Sequence, residues 1–240
     1  MTHEKILIIV PAFNESGAIQ KTVEEILALK FPLSVVVIDD GSGDSTAPEA
    51  RKTLAQVISL PFNLGIGGAV QTGFKYALAQ GFTLAVQVDG DGQHDVRYLK
   101  KLMEPILNKQ ADMTIGSRFL GPHSGYRSSP VRRIGIHFFA HLISFLTGYK
   151  VSDSTSGFRA YNRKMIEVFA RSYPHDFPEP EAIVTARRLN AVIVEVPVEM
   201  RKRTHGNSSI RYLKTLYYMV KVTFAILLDR IKVYPVSKVL

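Results

Sequence analysis

Ile6-Leu7-Ile8-Ile9-Val10 is an unbroken aliphatic run, and Pro11-Ala12-Phe13-Asn14-Glu15-Ser16 breaks it at once with turn and cap chemistry. A strand that is apolar at every position is buried on both faces, the habit of a parallel sheet covered by helices on each side. Residues 18–30 then read as a helix, with Ile19, Val23, Ile26 and Leu27 on one side. The unit repeats. A second apolar strand at residues 33–38 ends in Asp39-Asp40-Gly41-Ser42-Gly43-Asp44-Ser45-Thr46, where Ser45 or Thr46 caps a helix through residue 54. A strand at 57–60, a glycine-rich turn at 63–68, a helix to about 80 and a strand at 84–88 follow, the last running into Asp89-Gly90-Asp91. This alternation predicts an α/β fold, a mostly parallel central sheet flanked by helices, with ligands at the C-terminal ends of the strands.

The second half is less regular. Residues 113–116 and 192–197 read as strands, 121–133 as a polar loop, 134–149 as an apolar helix and 201–209 as a basic loop. A last helix covers about 210–231. The expected organisation is one domain over residues 1–209 and a C-terminal amphipathic helix over 210–240. Hydrophobic residues make up 46% of the 240, which excludes a disordered chain. With no cysteine there is no disulfide, thiolate metal site or cysteine nucleophile. Thirty Lys and Arg against 21 Asp and Glu give +9, which fits an anionic partner such as a phosphorylated substrate or an acidic membrane surface. The run at 6–10 is too short for a signal-peptide core, so a cytoplasmic location is expected.

The carboxylates carry the chemistry. Asp39-Asp40 and Asp89-x-Asp91 each follow a strand directly, so both project from one sheet edge toward one crevice. Acidic clusters placed together raise each other's pKa unless a cation lies between them. Mg2+ or Mn2+ takes oxygen ligands and bridges to substrate phosphates. Asp89 and Asp91, alternate residues of an extended segment, point the same way, and Gln93 and His94 are placed to complete the shell.

These stretches, in order, resemble the inverting GT-A glycosyltransferases of family 2. The residues that carry the resemblance are Pro11-Ala12-Phe13-Asn14-Glu15, the loop from Ile38 to Thr46, Asn63-Leu64-Gly65-Ile66-Gly67-Gly68-Ala69 and Val88-Asp89-Gly90-Asp91-Gly92-Gln93-His94. Gly116-Ser117-Arg118-Phe119 and the segment Asp153 to Tyr161 are similar to its polyprenyl-phosphate branch, typified by dolichol-phosphate mannose synthase. The resemblance implies a nucleotide-sugar donor whose pocket is lined by Pro11, Ala12, Asn14 and Glu15, with Asp40 on the base or ribose. It further implies that Asp89, Asp91 and Gln93 hold the metal and the diphosphate. Gly65, Gly67 and Gly68 permit close backbone approach, Gly67 being grouped with the donor residues; a plain strand-to-helix turn is the other reading.

The second half supplies positive charge. Guanidinium groups bind phosphate oxygens at two points, and the positions matching the family's phosphate contacts are Arg118, Arg132 or Arg133, and Arg201 or Arg203. A phosphate acceptor is already ionised and needs no strong base. A sugar hydroxyl acceptor needs one, and Asp153 and Glu181, within Pro178-Glu179-Pro180-Glu181, are the candidates. Two acceptors therefore stand open: polyprenyl phosphate, or the hydroxyl of a glycan or lipid-linked sugar. A non-catalytic nucleotide-binding module is the third reading. Nucleic acid is not expected, because acidic loops occupy the ligand edge.

In the last helix, residues 216–228 are apolar apart from Lys221 and Thr223. At ~1.5 Å per residue they span roughly 20 Å, short of the ~30 Å hydrocarbon core. Arg211, Lys214, Lys221 and Lys232 form a narrow basic stripe, so the helix is expected to lie on the inner face of a membrane, with packing on the domain itself or on a second subunit of a homo-oligomer as the alternative.

Overall fold

The computed structural model describes residues 4–120, 130–175 and 178–201, together with Thr223. The elements run β1 (Ile6–Ala12), α1 (Ile19–Leu27), β2 (Leu33–Asp39), α2 (Thr46–Ala50), β3 (Gln56–Ser59), α3 (Gly65–Ala79) and β4 (Leu84–Gln87). After a 3-10 turn at Val96–Tyr98 come α4 (Leu99–Leu107), β5 (Met113–Ser117), α5 (Pro130–Thr147), β6 (Arg159–Asn162), α6 (Arg163–Arg171), α7 (Pro178–Arg188) and β7 (Ile193–Pro197). The strands form one sheet in the order β3-β2-β1-β4-β6-β5-β7.

β1 lies between β2 and β4 and is parallel to both. Its alternate residues feed different layers. Leu7 and Ile9 join one buried cluster with Val36, Phe74, Phe139 and Phe169. Ile6, Ile8 and Val10 join the other with Val23, Val37, Leu102 and Phe158. The unbroken apolar run is the signature of this two-sided burial. On the first face α3 approaches β1 so closely that a side chain on Gly73 would overlap Ile9, its Cβ falling 2.3 Å from Cγ2.

The second half is more regular than the sequence reading had it. β6 is inserted antiparallel between β4 and β5, and β7 closes the edge parallel to β5. Helices α4, α6 and α7 fill intervals left unassigned. α6 is capped by Asn162, whose side chain accepts the Met165 amide at 3.0 Å. α5 starts at Pro130, inside the expected loop, with a proline at its first position as helices favour. α2 stops at Ala50 instead of reaching residue 54; Leu54 is exposed and has no surface to bury against. The expected helix over 210–240, and with it the domain boundary at 209, lies outside the described residues. No helix among the described residues is long and apolar enough to cross a membrane.

Candidate active site

The chain leaves β1 toward β2 and β3 on one side, then returns to β4 on the other. The crevice beyond the C-terminal end of β1 is thus the switch point at which open α/β sheets bind ligands. A cleft of about 370 Å³ opens there, lined by Pro11, Ala12, Glu15, Asp40, Asp89 and Asp91 among others. The two acidic loops do meet one cavity. They do not follow neighbouring strands: β1 separates β2 from β4, and at ~4.8 Å per strand spacing the loops stand about 10 Å apart. One ion does not bridge that gap between strand ends, so the two loops address different parts of a ligand.

On the β2 side, Asp40 is buried; its amide donates to Ala12 O at 2.9 Å and its Oδ1 accepts the Leu64 amide at 2.7 Å. Burial pushes its carboxyl above the usual range, the amides of Leu64 and Gly65 work against that, and Asp39 adds to it. Asp39 is also buried and accepts the Ser42 amide at 3.1 Å. Asn14 sits at φ 54 in the left-handed region that asparagine tolerates. Its amide donates to Ser42 Oγ at 3.0 Å and its Oδ1 accepts the Gly43 amide at 2.9 Å. It thereby stitches the loop after β1 to the loop after β2 and does not line the cleft.

On the β4 side, Asp91 Oδ1 accepts the Gln93 amide at 3.0 Å and Oδ2 accepts Gln93 Nε2 at 2.9 Å, which folds the loop into a tight unit. Asp89 Oδ1 lies 3.4 Å from Gln87 Nε2. A Cβ at position 157 would stand 3.2 Å from both Asp89 oxygens, so Gly157 keeps the space beside that carboxylate open. His94 is not placed as a ligand: its ring is buried and stacked on Phe158 at 4.8 Å. Among the described residues no three His, Cys, Asp or Glu side chains converge as a closed metal cage. Two carboxylates on an open cleft, Asp89 and Asp91, still suit Mg2+ or Mn2+, which bind through one or two carboxylates and take remaining ligands from substrate phosphates and water.

Toward β5, Arg118 and Asp153 form a buried two-point pair. Glu195 on β7 braces it, accepting the Ser152 amide at 2.8 Å and the Asp153 amide at 2.9 Å. This corrects the expectation of a base at Asp153. Asp153 is fully buried against an arginine, so it is no base poised for an acceptor. Its ion partner is Arg118. Arg159, also fully buried, donates to the carbonyls of Ser156, Ser154 and Glu179 and so ties the loop before β6 to the first turn of α7. That contact brings Glu179 into the site's field. Burial raises its carboxyl, Arg159 opposes this, and Asp89 adds to it.

Residues 7–169 match the family model described as glycosyl transferase family 2. The chain belongs to glycosyl transferase family 2. It is 29% identical over 218 residues to the UDP-N-acetylglucosamine–dolichyl-phosphate N-acetylglucosaminyltransferase of Methanococcus voltae, covering 83% of this chain and 86% of that one. It is 30% identical over 216 residues to the undecaprenyl-phosphate mannosyltransferase of Micrococcus luteus, covering 86% and 87%. Its fold matches glucosyl-3-phosphoglycerate synthase of Mycobacterium tuberculosis, solved with Mn2+, UDP and phosphoglyceric acid. That match has a TM-score of 0.72 at 22% identity and covers 98% of this chain and 81% of the other.

Within this family 2 transferase, Pro11, Ala12, Glu15, Asp40, Asp89 and Asp91 share the cleft. Gly67 does not: a Cβ there would fall 2.2 Å from Pro174 O and 2.5 Å from His175 O, so it is a packing glycine of α3. Arg201 is already engaged by Glu25 and, at 3.1 Å, by Asp95, while its amide donates to Gln93 O at 2.8 Å. It anchors the loop bearing Asp91 and does not present a bare guanidinium to an acceptor. Arg203 and the side chains of Arg132 and Arg133 lie outside the described residues. Glu181 is half-buried on α7, two residues beyond Glu179, and residues so spaced on a helix face nearly opposite ways. The sequence reading takes the Pro178-Glu179-Pro180-Glu181 segment as the candidate and puts the base at Glu181.

Proposed function

We propose that this glycosyltransferase moves a single sugar from a nucleotide-sugar donor to a polyprenyl phosphate at the surface of a membrane, on its cytoplasmic face. The observation that carries the reading is the opening of Asp40 and the Asp89–Asp91 pair into one cleft from opposite sides of β1. An extended nucleoside diphosphate spans that distance, its nucleoside toward Asp40 and its diphosphate toward Asp89 and Asp91.

Asp89 and Asp91, with Gln93, are the residues to hold Mg2+ or Mn2+. When bound, the ion neutralises the negative charge that builds on the departing nucleoside diphosphate. The protein's own part is placement. The Gln93 bonds fix the Asp91 carboxylate, Arg201 anchors the loop from behind, and Gly157 leaves room beside Asp89. The acceptor attacks the sugar on the face opposite the diphosphate, which inverts the anomeric centre.

A phosphate nucleophile suits this site because it arrives ionised. The tie between Asp153 and Arg118 removes one of the two bases that a hydroxyl acceptor would use. The relatives named for dolichyl- and undecaprenyl-phosphate transfer support the same acceptor. A second reading rests on Glu179: a desolvated carboxyl in the field of Asp89 is suited to take a proton from a sugar hydroxyl. Membrane contact and any self-association through residues 210–240 belong to the proposal and rest on the basic, apolar character of that segment.

The test is transfer from labelled UDP- and GDP-sugars to polyprenyl phosphate in detergent, with Mn2+ or with chelator. Wild type should transfer only with metal, and Asp91→Ala should lose at least a hundredfold in turnover. Full activity in chelator or in that variant refutes the metal role. Glu179→Gln separates the acceptors: retained turnover supports phosphate, and a loss of two or more orders of magnitude supports a hydroxyl.

A further inference from the structure

His94 was expected in the metal shell, and its surroundings give it another task. The Asp89 amide donates to His94 Nδ1 at 3.0 Å, so that nitrogen carries a lone pair and no proton. Nε2 lies 3.5 Å from Asp89 Oδ2, beyond a good hydrogen bond but close enough for the ring's positive edge to face the carboxylate. The ring has 2% of its surface exposed and lies nearly parallel to Phe158, at 15°. The backbone beside it is also held: His94 forms an isolated antiparallel bridge with Met200, and the Arg201 amide bonds to Gln93 O. One buried side chain thus closes the loop from residue 89 to residue 94 onto its own first residue.

We propose that His94 is a positioning residue. Through Nδ1 it fixes the peptide entering Asp89, and so aims the Asp89 carboxylate into the cleft beside Asp91. The inference rests on the reading that Asp89 and Asp91 hold a divalent ion. A rigid acceptor at Nδ1 matters because an amide turned out of the strand end needs a partner when buried. If that partner is lost, the peptide is free to rotate and carries the carboxylate with it. Residues that orient metal ligands typically contribute about 10- to 100-fold in metal affinity.

Three variants isolate the nitrogen. His94→Asn and His94→Gln both remove the stack on Phe158, but only asparagine carries an oxygen where Nδ1 sits. Mn2+ affinity is read by the electron paramagnetic resonance of free Mn2+ in the presence of UDP or GDP, with melting curves to confirm a folded chain. His94→Gln should bind Mn2+ at least tenfold more weakly than wild type, and His94→Asn should recover most of that loss. His94→Phe, which keeps the stack and has no acceptor, should bind as weakly as His94→Gln. Equal affinity in the Asn and Gln variants, or wild-type affinity in the Phe variant, overturns the inference and leaves the metal reading standing. A wild-type chain that binds no Mn2+ with either nucleotide overturns the metal reading and the inference with it.

Discussion

Arg118 Nε lies 2.7 Å from Asp153 Oδ2 and its Nη2 lies 2.7 Å from Oδ1, with both side chains buried. The Arg118 amide also donates to Asp153 Oδ2, at 3.1 Å, so one carboxylate holds both ends of the arginine. Removing one member of such a pair leaves an uncompensated charge in a dry place, which costs about 3–5 kcal/mol. Asp153→Asn should therefore lower the urea midpoint strongly, and Arg118→Met with Asp153→Asn together should recover part of the loss. A general base would behave otherwise, with turnover gone and the midpoint unmoved.

The sign of the Glu179 effect is opposite. Its folded-state pKa is raised, with burial as the main cause, so the folded chain prefers the protonated form. The stability contributed by that proton is complete below the unfolded value of about 4.3 and is lost as pH rises through the folded value. Glu179→Gln has no charge to desolvate, so it should melt above wild type near pH 8. The gap should close as pH falls toward 4. A constant gap across that range would mean that the carboxyl is well solvated.

The first half of the fold was legible because β1 is apolar throughout, β2 and β4 are mostly so, and each of the three ends in a turn-forming loop. The period-2 signal of Leu7 and Ile9 against Ile6 and Ile8 is hidden in the sequence only because both faces are buried. β6 was not legible for the opposite reason. It is four residues long and begins with a fully buried arginine, which sequence rules place on a surface. Three backbone carbonyls supply the partners that make Arg159 tolerable there, and they come from segments up to 20 residues away. The acidic pair of the cleft could be read from its place after a strand. Asn14, Asp153 and Arg201 could not, since residues that bind a ligand and residues that hold loops together share the same polar types.

Gly67 gives a direct case of that ambiguity. A methyl group there would meet the backbone oxygens of Pro174 and His175, which are part of the chain path and cannot rotate aside. Gly67→Ala should cost about 1–3 kcal/mol, as overpacking does, with the donor KM of the folded enzyme unchanged. A raised KM at unaltered stability would return Gly67 to the donor site. The two outcomes are separated by chemical denaturation alongside initial rates at varied donor concentration.

Asp95 links acid stability to the loop that bears Asp91. It is buried at the head of the 3-10 turn, accepts the Arg97 amide at 3.0 Å and faces both Arg97 and Arg201. The Arg97 guanidinium holds its carboxyl below the usual range, and Arg201 adds to this. A lowered folded value means stability that is present above the unfolded pKa of about 3.9 and is lost as pH falls through the folded value. Arg97 is largely exposed, so solvent screens its share, and the contact with Arg201 carries the structural consequence. Asp95→Asn should therefore lower stability at pH 7 and flatten the decline expected of wild type below pH 4. Because Arg201 also donates its amide to Gln93 O, the variant should weaken Mn2+ binding at neutral pH as well. Loss of stability with Mn2+ affinity intact would mean that the loop keeps its shape without the Arg201 anchor.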